Sequence, residues 1–456
     1  MNFEEFHMTT LGFLPLQPSA SFPSQWIEFY SEVIEAFNPA SKENEGFQFR
    51  EAISRVPYKP ELIEAISSLR TEEVWHLYTF FVLAVQRYVW ACGTGSFLDT
   101  IPKQLGLPLV SCAKILEMPP MISYHTMVLW NWTVINENEP LTLGNVKILY
   151  NMPTAKLQDS NEGFVKIHIV LEAQGAKLMP KMIEAKEAIK TRDVGKIKSI
   201  LQEFSQVMIE MRATLLRMYE VCKVEDFWAF RLYLAGTDEQ TFFPKGLMIE
   251  GTEFSIKEKG VSGAQSPLHQ ALYIFLSVNL TDDRKDFFES KKKGIYPMHL
   301  KFLEKLSEKP HLKPFVEELQ NDELTKCFND ALSELNKYRK VHYKIVYDYV
   351  LSNLKKEQHQ EQNKEQSLQK ETENPYPKNV LGECGTGGSK PHIFLQNLIK
   401  DIDKTKVTPS GKCEHENQVC QAPALLKRRG NKGIFAAISI LLLAIFFSRS
   451  ISHVSL

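Results

Sequence analysis

Three side chains set the chemical question in this sequence: His342, His168 and Arg231. Leu335 and Tyr338 lie seven and four residues before His342, and Ile345, Val346 and Tyr349 lie three, four and seven after it. On a helix this spacing makes the imidazole project from the middle of an apolar stripe. A buried imidazole must find partners for both ring nitrogens. A hydrogen-bonded core histidine is one solution; an iron ligand is another, with one nitrogen on the metal and the other donating to an acceptor. His168 repeats the pattern in GFVKIHIVLEAQGA, with Phe164 one turn before it and Leu171 just under one turn after it. Two such histidines on separate helices suit the two faces of a planar iron cofactor; a core or interface position is the alternative for His168 alone. Most of the twelve histidines are expected at the surface. In DFWAFRLYLAG, Phe227 and Arg231 share a helix face, an aromatic beside a cation. That pair can hold an amino-acid carboxylate through a bidentate guanidinium contact, with a structural salt bridge as the default.

Other chemistry is not signalled. There is no GxGxxG, Walker A, GxSxG, HExxH or CxxC motif. Gly385-Thr386-Gly387-Gly388 can cradle an anion with backbone N–H groups, which is a weak signal by itself. Cys413, His415 and Cys420 lack a second ligand pair within reach and do not make a zinc knuckle. Seven scattered cysteines point to a reducing compartment. The acidic start MNFEEFHMTT is unlike a secretory signal. A net charge of −1 gives no electrostatic footprint for nucleic acid, and 43% hydrophobic residues over 456 exclude a fully disordered chain.

The elements that position these residues are mainly helical. Gln25–Ala36 and Glu72–Ala91 read as helices, whereas residues 101–120 are expected to be broken by Pro102, Pro108, Pro119 and Pro120. Lys181–Val221 contains one glycine and no proline and predicts long helices. Another begins near Asn321-Asp322 and carries His342. Four regions follow: 1–154; 155–400, with a flexible polar loop over 355–380; a polar linker over 401–432; and an apolar tail over 433–449. IFAAISILLLAIFF, Ile434 to Phe447, carries no charge and follows Lys427, Arg428, Arg429 and Lys432. Its 14 residues span about 21 Å against a hydrocarbon core of about 30 Å. We expect a single-pass membrane anchor, with the preceding chain facing the cytosol from the endoplasmic reticulum or mitochondrial outer membrane.

The order of several segments adds a resemblance. LGFLP (11–15), YVW (88–90), LEMPPMISY (116–124), VLWNW (128–132), RLYLAG (231–236), SGAQS (262–266), PMHLKFL (297–303), RKVHYKIV (339–346) and GTGGS (385–389) run as in the indoleamine 2,3-dioxygenases. The chain resembles that haem enzyme family over roughly residues 5–400. The resemblance implies a large all-helical haem-binding domain, with a smaller N-terminal α/β-containing domain covering the distal pocket, and haem b between them. His342 matches the axial iron ligand and Arg339 a cation beside it. Tyr124, Val128, Phe164 and Phe227 match pocket positions, Arg231 the carboxylate clamp, Ser262 a serine at the haem edge, and Thr386 the loop that closes over substrate.

The sequence departs from the family pattern at several of these places. His168 replaces a serine and becomes a partner for dioxygen or for the indole N–H. Asp226 stands where a pocket phenylalanine is usual, unless a one-residue shift makes Phe227 its equivalent. Tyr273 replaces the aspartate that pairs with the ligand-helix arginine, and SGAQS reverses SAGQS. The implied activity is insertion of O2 across the indole C2–C3 bond of L-tryptophan or a related indoleamine, giving N-formylkynurenine. Its partners are the indole substrate, O2 and an electron donor for the haem, with no nucleic acid. The alternative is a non-catalytic oxygen-binding haem protein, like the myoglobins of certain molluscs.

Overall fold

The structure is a computed structural model that describes residues 2–18, 22–37, 45–92, 96–238, 242–356 and 390–409. The chain divides into compact units Met1–Ser410 and Gly411–Leu456, and every described residue belongs to the first. Thr386 with its GTGG loop, most of the 355–380 loop, the 410–432 part of the linker, Cys413, His415, Cys420 and the 433–449 tail lie outside the described residues. No helix among the described residues is long and apolar enough to cross a membrane.

The architecture is mainly α with two small sheets, as the sequence pattern requires. The helices are α1 Ser24–Glu35, α2 Glu45–Arg55, α3 Pro60–Ala65, α4 Thr71–Trp90, α5 Lys103–Leu116, α6 Ala155–Ala176, α7 Leu178–Lys190 and α8 Val194–Leu216. They continue as α9 Met218–Val221, α10 Val224–Phe230, α11 Pro267–Phe275, α12 Asp282–Lys291, α13 Pro297–Ser307, α14 Leu312–Leu319, α15 Asp322–Val346 and α16 Pro391–Lys404. Strand β1 (Thr100–Ile101) runs parallel to β4 (Leu247–Ile249), which pairs with β5 (Ser255–Ile256), so this sheet joins strands from both sides of residue 154. Strands β2 (Trp132–Val134) and β3 (Val146–Ile148) form an antiparallel pair.

The proline-rich stretch corrects the sequence reading. Residues 103–116 form one helix with Pro108 inside it. Pro108 has no N–H for the carbonyl four residues back, that of Gln104. The hydroxyl of Tyr30 supplies the missing donor, bonding to Gln104 O at 2.6 Å, and the turn survives.

The helix that carries His342 follows its sequence signals. The side chain of Asn321 accepts the Leu324 N–H at 2.9 Å and starts α15, whose apolar stripe buries Leu324, Phe328, Leu335 and Tyr338. Arg212 of α8 pairs with Glu334 of α15, and α6, α8 and α16 pack around that bundle. Past Val346 the helix widens into a π-turn, Tyr347–Leu351, and the Tyr349 hydroxyl donates to Cys222 O at 2.6 Å. A second π-turn, His125–Leu129, precedes β2. Such single widened turns cluster at functional sites because they re-aim side chains without ending a helix. Here Tyr124 and Met127 at one and Tyr349 and Val350 at the other all line the same cavity.

Candidate active site

That cavity holds about 240 Å³. Its walls come from α6 (Phe164, His168), α10 and the turn after it (Phe227, Arg231), the Ser262 loop, α11, α15 and α16. Eight of the ten residues singled out from the sequence line it: Tyr124, Phe164, His168, Phe227, Arg231, Ser262, Arg339 and His342. Val128 does not; it is packed into the core, and Met127 takes the wall position. Thr386 is outside the described residues.

Gly163 explains how α6 comes so close to the α9–α10 corner. A Cβ there would sit 2.1 Å from the Val221 carbonyl oxygen, so only glycine permits the approach. The next residue, Phe164, then packs its ring 5.2 Å from that of Phe227 and 4.7 Å from that of His168. Asp226 turns the other way and accepts the Ser160 hydroxyl at 2.6 Å. Phe227 is therefore the aromatic wall, and the acid of Asp226 is not in the cavity.

His168 has a defined tautomer. Its Nδ1 lies 2.8 Å from Phe164 O, and a carbonyl can only accept, so Nδ1 carries the hydrogen. Burial pushes its pKa below the usual histidine range and keeps the ring neutral. Nε2 is left with a lone pair. This ring is an acceptor, and so fits an N–H of a bound molecule.

Tyr124 is committed elsewhere. Its hydroxyl donates to Glu172 Oε1 at 2.9 Å, and Ser266 donates to the same oxygen at 2.6 Å. Glu172 Oε2 is buried without a partner, and burial pushes the carboxyl up to about 7. Gln265 completes this polar lattice, its Oε1 accepting the N–H groups of Tyr124 and Ser262, both at 3.1 Å. Ser262 thus sits in a capped turn at the cavity rim. A Cβ on Gly263 would meet nothing within 4 Å, so the Gly-Ala order of SGAQS reflects no steric demand at that position.

On α15, His342 has a buried Nδ1 with no hydrogen-bond partner. Burial, then the nearby Arg339 cation, lowers its pKa to about 3, leaving the neutral, metal-binding form of imidazole. Arg339 is itself buried, one turn earlier. Its guanidinium lies 5.1 Å from the Tyr273 ring and 5.2 Å from the Tyr338 ring, so two π faces replace the usual aspartate. Its Nε has no partner, and it has no carboxylate partner among the described residues. A buried cation without a counter-ion is costly and calls for an anion. Haem fits this donor set, with one imidazole for its iron, a cation for a carboxylate, and mostly apolar walls. Among the described residues no group of three or more His, Cys, Asp or Glu could hold a bare metal ion.

Sequence reasoning missed several wall and support residues. Contrary to the surface expectation, His76, His125, His269 and His299 are buried. His269 lines the cavity and pairs its Nε2 with the Tyr338 hydroxyl at 3.1 Å. Tyr338, four residues before His342, was visible only as part of a stripe. Glu172, one turn beyond His168, had a readable spacing but no readable partner. Arg231 is buried at the cavity wall against the Trp228 ring, 4.8 Å from its centroid.

Comparison with known proteins agrees with this geometry. The sequence profile described as "Indoleamine 2,3-dioxygenase" matches residues 2–405. Indoleamine 2,3-dioxygenase 1 of Mus musculus is 26% identical over 365 residues, covering 79% of this chain and 85% of that protein. Indoleamine 2,3-dioxygenase 2 of Homo sapiens is 24% identical, covering 90% and 97% respectively. A myoglobin of Haliotis diversicolor is 25% identical over 67% of this chain and 78% of its own. The profile spans nearly every described residue, from the first 3-10 turn to the end of α16, and the chain belongs to the indoleamine 2,3-dioxygenase family.

Proposed function

We propose that this haem-dependent dioxygenase acts on L-tryptophan or a related indoleamine and inserts both atoms of O2 across the indole C2–C3 bond, giving N-formylkynurenine. The observation that carries the reading is the meeting of His342, His168, Phe164, Phe227 and Arg231 around one cavity. Haem b, when bound, supplies the iron that activates dioxygen, and an electron donor keeps it ferrous. His342 would hold the iron and Arg339 would neutralise an acidic group of the cofactor. Arg231 clamps the substrate carboxylate, while Phe164 and Phe227 hold the indole plane and exclude water. His168 Nε2 accepts the indole N–H, which fixes which edge of the ring faces the reacting centre. Tyr124 contributes shape only, because its proton is held by Glu172.

The test is incubation of the reduced holoprotein with tryptophan and O2. The expected result is N-formylkynurenine in proportion to O2 consumed. Reversible O2 binding with no product supports instead the second reading, an oxygen-binding protein, for which the similarity to an abalone myoglobin speaks. The clamp and aromatic walls favour the enzyme, since an oxygen store needs neither. We further propose that residues 433–449 anchor the protein in an intracellular membrane, facing the cytosol. Deleting the chain after Asn431 should move it to the soluble fraction; persistence in membranes refutes the anchor.

A further inference from the structure

Behind Tyr124 the cavity wall passes into a stack of rings that the proposed reaction does not use. His125, the next residue, lies nearly face to face with Trp75, ring centroids 4.1 Å apart and planes 29° apart. Trp75 stacks in turn on Trp130 at 5.7 Å and 16°, and meets Tyr296 edge-on at 4.9 Å. The Tyr296 hydroxyl lies 2.8 Å from Nδ1 of His7. Trp75 and Tyr296 are buried, whereas His7 is exposed. The stack therefore begins beside two cavity-wall residues, Tyr124 and Met127, and ends at a base open to water.

Ring packing explains aromatic contacts of this kind, but it does not require a water-exposed base on the hydroxyl at their outer end. Tryptophan and tyrosine are among the side chains most easily oxidised by one electron. For tyrosine, loss of the electron is favourable only if the phenolic proton leaves with it. A base within hydrogen-bond distance of the oxygen is what that step needs.

We propose that Trp75 and Tyr296 form a one-electron escape route from the haem cavity to the surface, with the Tyr296–His7 pair as its outer terminus. The proposal rests on the haem reading of the cavity. Its oxidant is ferric haem that has been oxidised further by a peroxide. One electron passes inward from Trp75 to the oxidised haem, and Tyr296 refills Trp75. The Tyr296 O–H bond breaks, its proton moves to His7 Nδ1, and a neutral phenoxyl remains beside a surface imidazolium. A soluble thiol or another one-electron reductant then returns the electron to Tyr296, and His7 returns the proton. The route discharges an oxidising equivalent that would otherwise attack the cavity wall, where the thioethers of Met127 and Met218 are the softest targets.

The test uses ferric holoprotein mixed with hydrogen peroxide, freeze-quenched and examined by electron paramagnetic resonance. Wild type should give a neutral tyrosyl radical. Tyr296→Phe and Trp75→Phe should both lose it while keeping the haem absorbance of wild type, and His7→Ala should form it more slowly. Peptide mass spectrometry should find more Met127 sulfoxide in the two aromatic variants than in wild type. An unchanged radical in Tyr296→Phe, or none in haem-loaded wild type, overturns the route and leaves the haem reading standing. A protein that takes up no haem overturns both.

Discussion

Replacing Glu172 by glutamine removes a buried titration while keeping a carbonyl oxygen to accept from Tyr124 and Ser266. Burial raises the folded-state pKa from 4.5 to about 7. A raised carboxyl favours folding fully below its unfolded value, and that contribution is lost as pH rises through the folded value. At 1.36 kcal/mol per unit the shift amounts to about 3 kcal/mol. With an unfolding entropy of roughly 2.1 cal/mol/K per residue over the first unit of the fold, this corresponds to about 4 °C in Tm. Buried histidines such as His125 and His299, whose pKa values burial lowers, tilt the curve the other way, losing stability as pH falls below the usual histidine range. The informative quantity is therefore the difference between wild type and Glu172→Gln, in which those histidines cancel. Thermal unfolding of both holoproteins between pH 5 and pH 8 should show wild type losing about 3 °C relative to the variant as pH rises, the rest of the loss lying below pH 5. A flat difference would mean that Glu172 stays ionised throughout, and the account of its unpartnered Oε2 would be wrong.

Three further outcomes follow from the geometry. His342→Ala should abolish haem uptake, measured by absorbance after reconstitution, and normal retention refutes the ligand assignment. Arg231→Lys loses the fork geometry and one hydrogen bond to a carboxylate, so KM for tryptophan should rise about tenfold with a smaller change in kcat. Arg87 donates to the carbonyls of Phe37, Asn151 and Pro153 and faces Glu45 at 3.4 Å. Arg87→Met strands that buried carboxylate and should cost about 3–5 kcal/mol in urea unfolding; a loss under about 1 kcal/mol contradicts the pairing.

Legibility in the sequence tracked the range of the interaction. The start of α15 and the exposure of His342 to an apolar face are written within a few residues, in the Asn321 cap and in a stripe of period 3.6. Arg231 and Phe227 were readable for the same reason. The helix through Pro108 was not, because its repair comes from Tyr30, 74 residues away. The tautomer of His168 was within reach, since its partner is one turn back, but it needed a helix already known to exist. Glu172 and His269 were opaque, since their partners Tyr124, Ser266 and Tyr338 arrive from other elements. The ambiguity between Asp226 and Phe227 was settled only by which side of α10 met Ser160.

The last wall of the cavity has a temporal meaning. Phe394, Leu395 and Leu398 lie on α16, which Arg284 fastens to the fold through Asp401. On the ribosome, His342 and every other wall element emerge before them, since chains are made from the N-terminus. A nascent chain arrested anywhere between Val350 and Phe394 has its ligand helix but an open flank where α16 belongs. Tight capture of a group in this cavity must therefore wait until some fifty residues after His342 have been made, so loading is a late event in the life of each molecule.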